Sequence, residues 1–264
     1  MKTIIYYFSG TGNSLSVAKD ISKNLDNCTL EPIVRYLKNT SLTVNYERIG
    51  FVFPLYYQQV PKVVLDFINK LIFTNVRYVF SITTRGVPIA GAAIRQMSKL
   101  LKSKNIKLNL GSYVDMPQNC INGMKVPNII KREKIFKKAK NKIKKICNKI
   151  EFGLNNLDTE PFSFLKNVEK LKAFQENVII HEDRFVSDEK CNTCNICVSI
   201  CPVNNILINN KKPDWLGNCI NCLACIHFCP KESIQYGNKT INSERYHHPE
   251  ISLDDIKNQK YIKT

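Results

Sequence analysis

Eight cysteines fall into two short runs with identical spacing. The first run, CNTCNICVSICP, begins at Cys191, and the second, CINCLACIHFCP, begins at Cys219. Both follow C-x2-C-x2-C-x3-C-P, and matching positions lie 28 residues apart throughout, so the runs form an internal repeat. In a reducing compartment, clustered cysteines supply thiolates for metal binding or redox chemistry more often than they form structural disulfides. The spacing therefore predicts two related metal centres.

Two kinds of metal centre use closely spaced cysteines. A zinc site pairs two C-x2-C motifs and takes four ligands, so zinc would leave surplus thiolates here. The run C-x2-C-x2-C-x3-C-P is instead the one that holds [4Fe–4S] clusters in bacterial ferredoxins. Residues 185–240 resemble a bacterial two-cluster ferredoxin, in which the last cysteine of each run binds the cluster of the other half. The resemblance implies one cluster on Cys191, Cys194, Cys197 and Cys229, and a second on Cys219, Cys222, Cys225 and Cys201.

The remaining composition indicates the compartment. The chain has 264 residues and 11 cysteines, and an odd number fits a secreted disulfide framework poorly. The N-terminal apolar run is too short for a signal peptide, and no stretch approaches the 18 apolar residues of a membrane helix. We therefore expect a soluble, reduced, cytoplasmic protein with no membrane span, acting under anaerobic conditions.

The N-terminal sequence TIIYYFSGTGNSLSVAKDI has the pattern of a strand, a glycine-rich loop and a helix. Backbone N–H groups at a helix start favour an anion, and glycines let the anion approach the backbone. The loop has neither the GK[ST] of a Walker A motif nor G-x-G-x-x-G spacing. It resembles the phosphate loop of flavodoxins, which implies that FMN phosphate is held by Ser9, Gly10, Thr11, Gly12, Asn13 and Ser14.

Strand and helix patterns alternate through the first 150 residues. Apolar runs predict strands over 3–8, 29–34, 47–53, 76–83 and 108–116, and amphipathic stretches predict helices over 14–25, 60–72, 89–103 and 128–150. This alternation predicts an α/β fold with a doubly wound, five-stranded parallel sheet. Ligands of such sheets bind at the carboxyl ends of the strands, where the strand order reverses.

The loops after the third, fourth and fifth strands should then line a flavin. The residues we expect there are Pro54, Leu55, Tyr56, Tyr57, Thr83, Thr84, Arg85, Gly86 and Asn119. With the MPQN after the fifth strand and the later RYHHPEISLDD, these features resemble a family of flavodoxin–ferredoxin fusion proteins. The resemblance implies a flavodoxin-like FMN domain over 1–153, a linker or docking segment over 154–184, a small α+β ferredoxin domain over 185–240 and a C-terminal tail over 241–264.

Several candidate residues also have a purely structural interpretation. Tyr56 and Tyr57 cover a flavin face or simply pack under a loop. Arg85 is a solvated charge, or it stabilises a reduced anionic flavin by lying near N1. Cys120 is best interpreted as a structural thiol, because nothing in the sequence supplies a base beside it. We identify no catalytic residue, since no Ser–His–Asp, H-E-x-x-H or paired-carboxylate arrangement is present.

The histidines allow similar alternatives. His227 lies inside the second cysteine run, where it hydrogen-bonds a cluster sulfur or merely covers the cluster. The pair His247–His248 is predicted to lie on the surface.

The net charge of +17 is unevenly distributed. Residues 1–184 carry 30 basic and 14 acidic side chains, whereas residues 185–264 carry 9 and 8. Two oxidised clusters with their thiolates would make the second part mildly acidic. Complementary charge would help the two parts dock and would steer an acidic redox partner such as a ferredoxin, a flavoprotein or an oxidoreductase. The lysine-rich stretch 131–150 is alternatively a solvated helix, and it lacks the aromatic residues or reading motif of a nucleic-acid site.

Three functions remain open from the sequence. The first is an electron-transfer protein that links a low-potential donor to a redox partner through two [4Fe–4S] clusters and FMN. The second is an FMN-dependent reductase of a small molecule, fed by its own ferredoxin domain. The third is an iron–sulfur docking protein that binds no flavin.

Overall fold

The structure, a computed structural model, describes residues 1–88, 91–158 and 182–260. Its first part contains the strands β1 (Thr3–Tyr7), β2 (Cys28–Pro32), β3 (Leu42–Asn45), β4 (Arg48–Pro54), β5 (Leu71–Thr74), β6 (Tyr78–Arg85), β7 (Leu110–Asp115) and β8 (Asn156–Leu157). The α-helices of this part are α1 (Asn13–Lys23), α2 (Lys62–Lys70), α3 (Ala93–Lys102) and α4 (Ile129–Glu151), and a 3-10 helix spans Ile33–Tyr36.

Six of these strands form one parallel sheet in the order β2-β1-β4-β6-β7-β8. From β1 the chain first adds β2 on one side and then returns to build the rest of the sheet on the other side. The strand order therefore reverses between β1 and β4, which is the switch point of a flavodoxin-like doubly wound fold. The predicted fold class is confirmed, and the carboxyl ends of β1 and β4 are where a ligand should bind.

Helices cover both faces of the sheet. On one face, α1 and α4 pack residues such as Val17 and Ile146 against Phe80 of β6. On the other face, α2 and α3 pack Phe67 and Met97 in a core that includes Phe51 of β4. Because the sheet is covered on both sides, its central strands β1, β4, β6 and β7 are buried along almost their whole length, which is why short apolar runs predicted them.

Two features of the sheet were not predicted. A sixth strand, β8, pairs with β7, so the predicted count of five is one too few. A separate pair, β3 and β5, runs parallel beside the main sheet, and β5 begins at Leu71 inside a stretch predicted as helix. Strands of two to four residues are too short to establish a period of two in the sequence.

The cysteine-rich part is a small α+β unit, as predicted. It contains β9 (Phe185–Ser187), β10 (Ile206–Asn209), β11 (Lys212–Trp215) and β12 (Ile234–Tyr236), with the short helices α5 (Ile196–Ile200) and α6 (Ala224–His227). Two 3-10 helices span Glu182–Arg184 and Gly237–Thr240. Strand β9 pairs antiparallel with β12, and β10 pairs antiparallel with β11. The rings of Phe185 and Trp215 stack at 5.3 Å in its core.

The last described residues return to the first domain. Residues 244–260, which include α7 (Leu253–Lys257), run across the outer side of the loop between β1 and α1. We call this segment the C-terminal strap. Most of the predicted linker, residues 159–181, lies outside the described residues. No helix within the described ranges is long and apolar enough to cross a membrane.

Candidate functional site

The loop between β1 and α1 forms a turn that only glycine adopts easily. Gly12 has φ +96°, and its N–H donates to the Ser9 hydroxyl oxygen at 3.1 Å. No side chain caps α1, so its first turn keeps backbone N–H groups that can serve a ligand. Ser14, in that turn, lies at a cavity of about 260 Å³. This switch-point cavity lies at the carboxyl ends of the strands, where the fold predicts a ligand.

Most of the predicted loop residues line the switch-point cavity. Of the fifteen predicted flavin contacts, thirteen lie on its wall: Ser9, Gly10, Thr11, Asn13, Ser14, Pro54, Leu55, Tyr56, Tyr57, Thr84, Arg85, Gly86 and Asn119. Gly12 and Thr83 do not line it. Gly12 faces the C-terminal strap, and Thr83 is fully buried within β6.

The hydroxyl groups that line the cavity act mainly as acceptors within the protein, so their hydrogens can be donated to a ligand. The Ser9 hydroxyl accepts from Gly12, and the Thr11 hydroxyl accepts from the Asn119 amide at 2.5 Å. Ser14 and Thr84 share one hydrogen bond of 2.8 Å, so one of the two hydroxyl hydrogens is not used in that bond. Hydroxyl donors beside helix-start amides form a donor set that fits an anionic oxygen group.

Asn13 lines the cavity and also makes contacts that were not predicted. Its amide donates to the Pro117 carbonyl at 3.0 Å, and its carbonyl oxygen accepts from the Tyr246 hydroxyl at 2.6 Å. The side chain therefore ties the loop after β1 to the loop after β7 and to the strap. In this arrangement Asn13 positions the loop, and the second hydrogen of its amide is not used in these two bonds.

Arg85 is neither a solvated charge nor an unpaired one. Its Nε donates to the Asp115 carboxylate at 2.8 Å, and its guanidinium lies over the Tyr113 ring at 4.4 Å from the centroid. Only 14% of the side chain is exposed. The ion pair offsets part of the positive charge that Arg85 brings to the cavity wall.

The cysteine-rich domain supplies part of the same cavity. Asn221, Cys222 and Leu223 lie on its wall, and the Asn221 amide donates a hydrogen bond to the Tyr57 hydroxyl. Burial raises the pKa of Tyr57, so this hydroxyl remains protonated. Sequence reasoning placed Cys222 at a cluster but did not place these three residues, or the exposed Met124, beside the flavin loops. Contacts between distant segments leave no local pattern to detect.

The eight cysteines form the two predicted groups. Cys191, Cys194, Cys197 and Cys229 line one cavity, and Cys201, Cys219, Cys222 and Cys225 line another. Each group takes three cysteines from one run and the last from the other. Within the described residues, no three His, Cys, Asp or Glu side chains are arranged to hold a single metal ion. Each quartet instead surrounds a cavity.

The repeat extends to the backbone. Positive φ angles occur at Thr193, Asn195 and Asn204, and again 28 residues later at Asn221, Leu223 and Glu232. A left-handed conformation at a non-glycine residue costs about 1–3 kcal/mol and persists only where the surroundings enforce it. Its recurrence at matching positions indicates that both runs wrap their cysteines around a centre in the same way.

Hydrogen bonds to sulfur complete the two groups. The N–H of Asn205 donates to Cys201 Sγ at 3.2 Å, and the N–H of Asn221 donates to Cys219 Sγ at 3.3 Å. Burial acts to raise the pKa of Cys229, but hydrogen bonds from Ser233 and neighbouring amides outweigh it and lower that pKa. Burial, with a further contribution from the nearby thiolates of Cys194, Cys229 and Cys191, raises the pKa of Cys197 to about 11, although a backbone hydrogen bond at Val198 acts to lower it. Amide donors to thiolate sulfur are the contacts that tune iron–sulfur clusters, so the groups fit that cofactor.

The structure excludes one of the two interpretations of His227 and contradicts the surface prediction for His248. The Nδ1 of His227 accepts from the Tyr246 N–H at 3.0 Å, so Nε2 carries the proton and donates to the Asn119 carbonyl at 2.8 Å. Both ring nitrogens are used, and neither bonds a sulfur. His248 is only 3% exposed and packs edge-on against Phe136, whereas His247 is exposed as predicted.

Family models of the 4Fe-4S binding domain match residues 185–207 and 216–237, one for each cysteine run. No curated protein sequence matches the chain. The chain thus has the organisation of a flavodoxin–ferredoxin fusion, with a flavodoxin-like α/β domain followed by two 4Fe-4S binding domains. The iron–sulfur matches support a redox role.

Three solved structures are similar to part of this chain. A putative flavoprotein from Bacteroides uniformis is 18% identical, over 43% of this chain and 90% of its own, with a TM-score of 0.37. An azoreductase from Bacillus anthracis is 13% identical, over 56% and 100%, with a TM-score of 0.38. The rubredoxin oxygen:oxidoreductase of Desulfovibrio gigas is 9% identical, over 57% and 36%, with a TM-score of 0.35. At these TM-scores the fold assignment rests on the strand order alone.

Proposed function

We propose that this protein transfers electrons between two [4Fe–4S] clusters and FMN, and so links a low-potential donor to a redox partner. One observation carries the proposal. Cys222, from the second quartet, lies on the wall of the same cavity as the phosphate-type loop. A ligand in that cavity and a cluster on that quartet would therefore be neighbours, as a short electron path requires.

The chain offers FMN three kinds of contact. Ser9, Thr11 and the first turn of α1 supply donors for a phosphate group. The Tyr56 and Tyr57 rings line the cavity where an aromatic ring system would be covered. Bound FMN would supply a redox centre that exchanges one or two electrons, while each cluster exchanges one. Arg85 would bring a partly neutralised positive charge to the flavin.

The second quartet has the more central position of the two. Its cavity lies under Phe185 and Trp215, and its Cys222 reaches the switch-point cavity. The first quartet includes Cys194, which is exposed, and none of its members line the switch-point cavity. This arrangement supports a path in which the first cluster exchanges electrons with the outside and the second connects it to FMN.

The basic surface suggests the nature of the partner. On α4, six lysines are exposed and have no ion pair within the described residues: Lys131, Lys134, Lys137, Lys138, Lys144 and Lys145. We propose that this lysine face attracts an acidic redox protein. We further propose that this lysine face binds no nucleic acid. We also propose that the protein is located in the cytoplasm, where cluster thiols stay reduced.

Cofactor analysis of anaerobically purified protein tests the proposal. We expect about eight irons, eight sulfides and one FMN per chain, and rapid reoxidation of the clusters when flavin is bound. Full iron with no bound or bindable flavin would contradict the proposal and favour an iron–sulfur docking protein. Turnover of a small molecule that depends on both cofactors would instead identify a flavin-dependent reductase.

A further inference from the structure

The C-terminal strap contacts the phosphate-type loop from the side opposite the switch-point cavity. Three ion pairs join the strap to the first domain: Lys19–Asp255 at 2.7 Å, Arg132–Glu244 at 2.5 Å and Lys140–Glu250 at 2.9 Å. The strap therefore supplies acidic side chains that pair with basic side chains of the first domain. The strap also contacts the cysteine-rich domain, because Lys260 donates to the Val198 carbonyl at 3.1 Å.

Gln259 makes the most specific contact of the strap. It is 4% exposed, and its amide pairs with the backbone of Ser9 in both directions. The Ser9 N–H donates to the Gln259 carbonyl oxygen at 3.2 Å, and the Gln259 amide donates to the Ser9 carbonyl at 3.1 Å. Ser9 has left the sheet at this point and is itself buried, so without Gln259 two buried backbone groups would lack hydrogen-bond partners.

Neighbouring strap residues hold the rest of the loop. The His248 N–H donates to the Thr11 carbonyl at 2.8 Å. A methyl group on Gly12 would lie 2.9 Å from Ile251 and 3.0 Å from His248, so the strap packs directly against the turn. The loop therefore has the cavity on one side and a fitted polypeptide segment on the other.

We propose that the C-terminal strap fixes the phosphate-type loop in its binding conformation, and that Gln259 is the positioning residue that does so through Ser9. The chain of contacts is direct. Gln259 holds the Ser9 backbone, the Ser9 hydroxyl accepts from the Gly12 N–H, and Gly12 sets the start of α1. The assignment of FMN phosphate as the ligand of this loop rests on the proposed function, whereas the positioning of the loop does not.

The test compares two variants in the full chain with its clusters in place. Gln259→Met keeps the length of the side chain and removes both hydrogen bonds to Ser9. Glu250→Gln, the control, removes an exposed ion pair of the strap that does not touch the loop. The measurements are iron content, amide hydrogen exchange of residues 9–16 without flavin, and binding of FMN and riboflavin.

We expect Gln259→Met to retain its iron, to speed exchange of residues 9–16 about 10-fold and to weaken FMN about 10-fold, as expected for two lost hydrogen bonds. Riboflavin, which has no phosphate, should lose no more than about twofold, and Glu250→Gln should match the wild type. If Gln259→Met does not fold, Gln259→Asn, which keeps the amide but shortens the side chain by one methylene, should give an intermediate exchange rate.

Two outcomes separate this inference from the proposed function. If the wild type binds no FMN but the loop exchanges faster in the Gln259 variant, the proposed function fails and the positioning role stands. If the wild type binds FMN and the variant shows unchanged exchange in residues 9–16, the positioning role is overturned and the proposed function stands. Equal losses of FMN and riboflavin affinity would also overturn it, because the effect would not be directed at the phosphate.

Discussion

Gly10 lies so close to Cys222 that a methyl group on its Cα would come within 2.6 Å of the Cys222 carbonyl oxygen. The phosphate-type loop and the second cysteine run are therefore in backbone contact. A carbonyl oxygen cannot move aside as the end of a flexible side chain can. Any side chain at this position must push the two domains apart, and glycine is required for their close approach.

We expect Gly10→Ala to slow electron transfer between flavin and clusters severalfold at saturating FMN, since it separates the two sites. The measurement is the single-turnover rate of cluster reoxidation in the protein loaded with flavin. Gly123→Ala is the matched control, because a methyl group on Gly123 would have no neighbouring atom within 4 Å. Equal rates in the two variants would show that the contact does not govern transfer.

The crossed cysteine groups predict how much iron each double cysteine variant retains. Cys201→Ala should lower iron from about eight to about four per chain, because one cluster loses a ligand. Adding Cys219→Ala should cost no further iron, since both residues belong to one quartet. Adding Cys191→Ala instead should remove the rest. Cys147→Ala, a buried cysteine of α4, should keep all eight. The opposite pattern of double variants would show that each run binds its own cluster.

The lysine face of α4 predicts a salt-dependent encounter with an acidic partner. Replacing Lys134, Lys138 and Lys145 by Gln should slow reduction of a small acidic ferredoxin at least about 10-fold at low salt. The dependence of the rate on ionic strength should weaken in parallel. Replacing Lys38, Lys99 and Lys107, which are exposed elsewhere on the domain, provides a control of equal charge. Equal slopes for the two triple variants would exclude steering by α4.

Buried His248 predicts that the strap loosens in acid. Burial lowers the pKa of His248 from 6.5 to about 4. Between these values the opened segment binds a proton that the packed segment does not. The packed strap therefore keeps its full stability relative to the opened strap above pH 6.5, and it loses stability as the pH falls toward 4. The loss between pH 7 and pH 5 is about 2 kcal/mol.

Hydrogen exchange of residues 246–259 at the two pH values, corrected for intrinsic rates, measures this loss. His248→Asn keeps an acceptor for the Glu250 N–H and has no group that titrates in this range. Between pH 7 and pH 5, strap opening in the variant should change by about 2 kcal/mol less than in the wild type. His227 is common to both proteins, so its contribution cancels. An equally pH-dependent variant would assign the effect to another group.

The sequence predicted the elements with local signals. The buried central strands are short apolar runs, so most of the sheet follows from residue order. The doubled cysteine spacing carries the resemblance to two-cluster ferredoxins, and that resemblance implies the two quartets. The loop after β1 was predicted for the same reason, because strand, glycine turn and helix are contiguous. Short strands such as β8 depend on a neighbour to pair with and leave no period of their own.

The contacts of the strap could not be predicted. Its residues are polar and charged, which in isolation is typical of a solvated tail. His248 and Gln259 are buried only because the first domain offers Thr11 and Ser9 as partners. For the same reason the positioning contacts of Asn13 could not be predicted. Its two protein partners, Pro117 and Tyr246, lie more than 100 positions away.

The pairing of Ser9 with Gln259 also sets an order of assembly. The two residues are 250 positions apart, so at 5–20 residues per second a ribosome makes Gln259 roughly 12 to 50 s after Ser9. During that interval the sheet can form, but the loop after β1 lacks the amide that fixes its backbone. The cysteine runs are translated before Gln259 and can already be exposed to iron. The loop after β1 therefore reaches its fixed form only after both cysteine runs have been translated, although Ser9 is made before them.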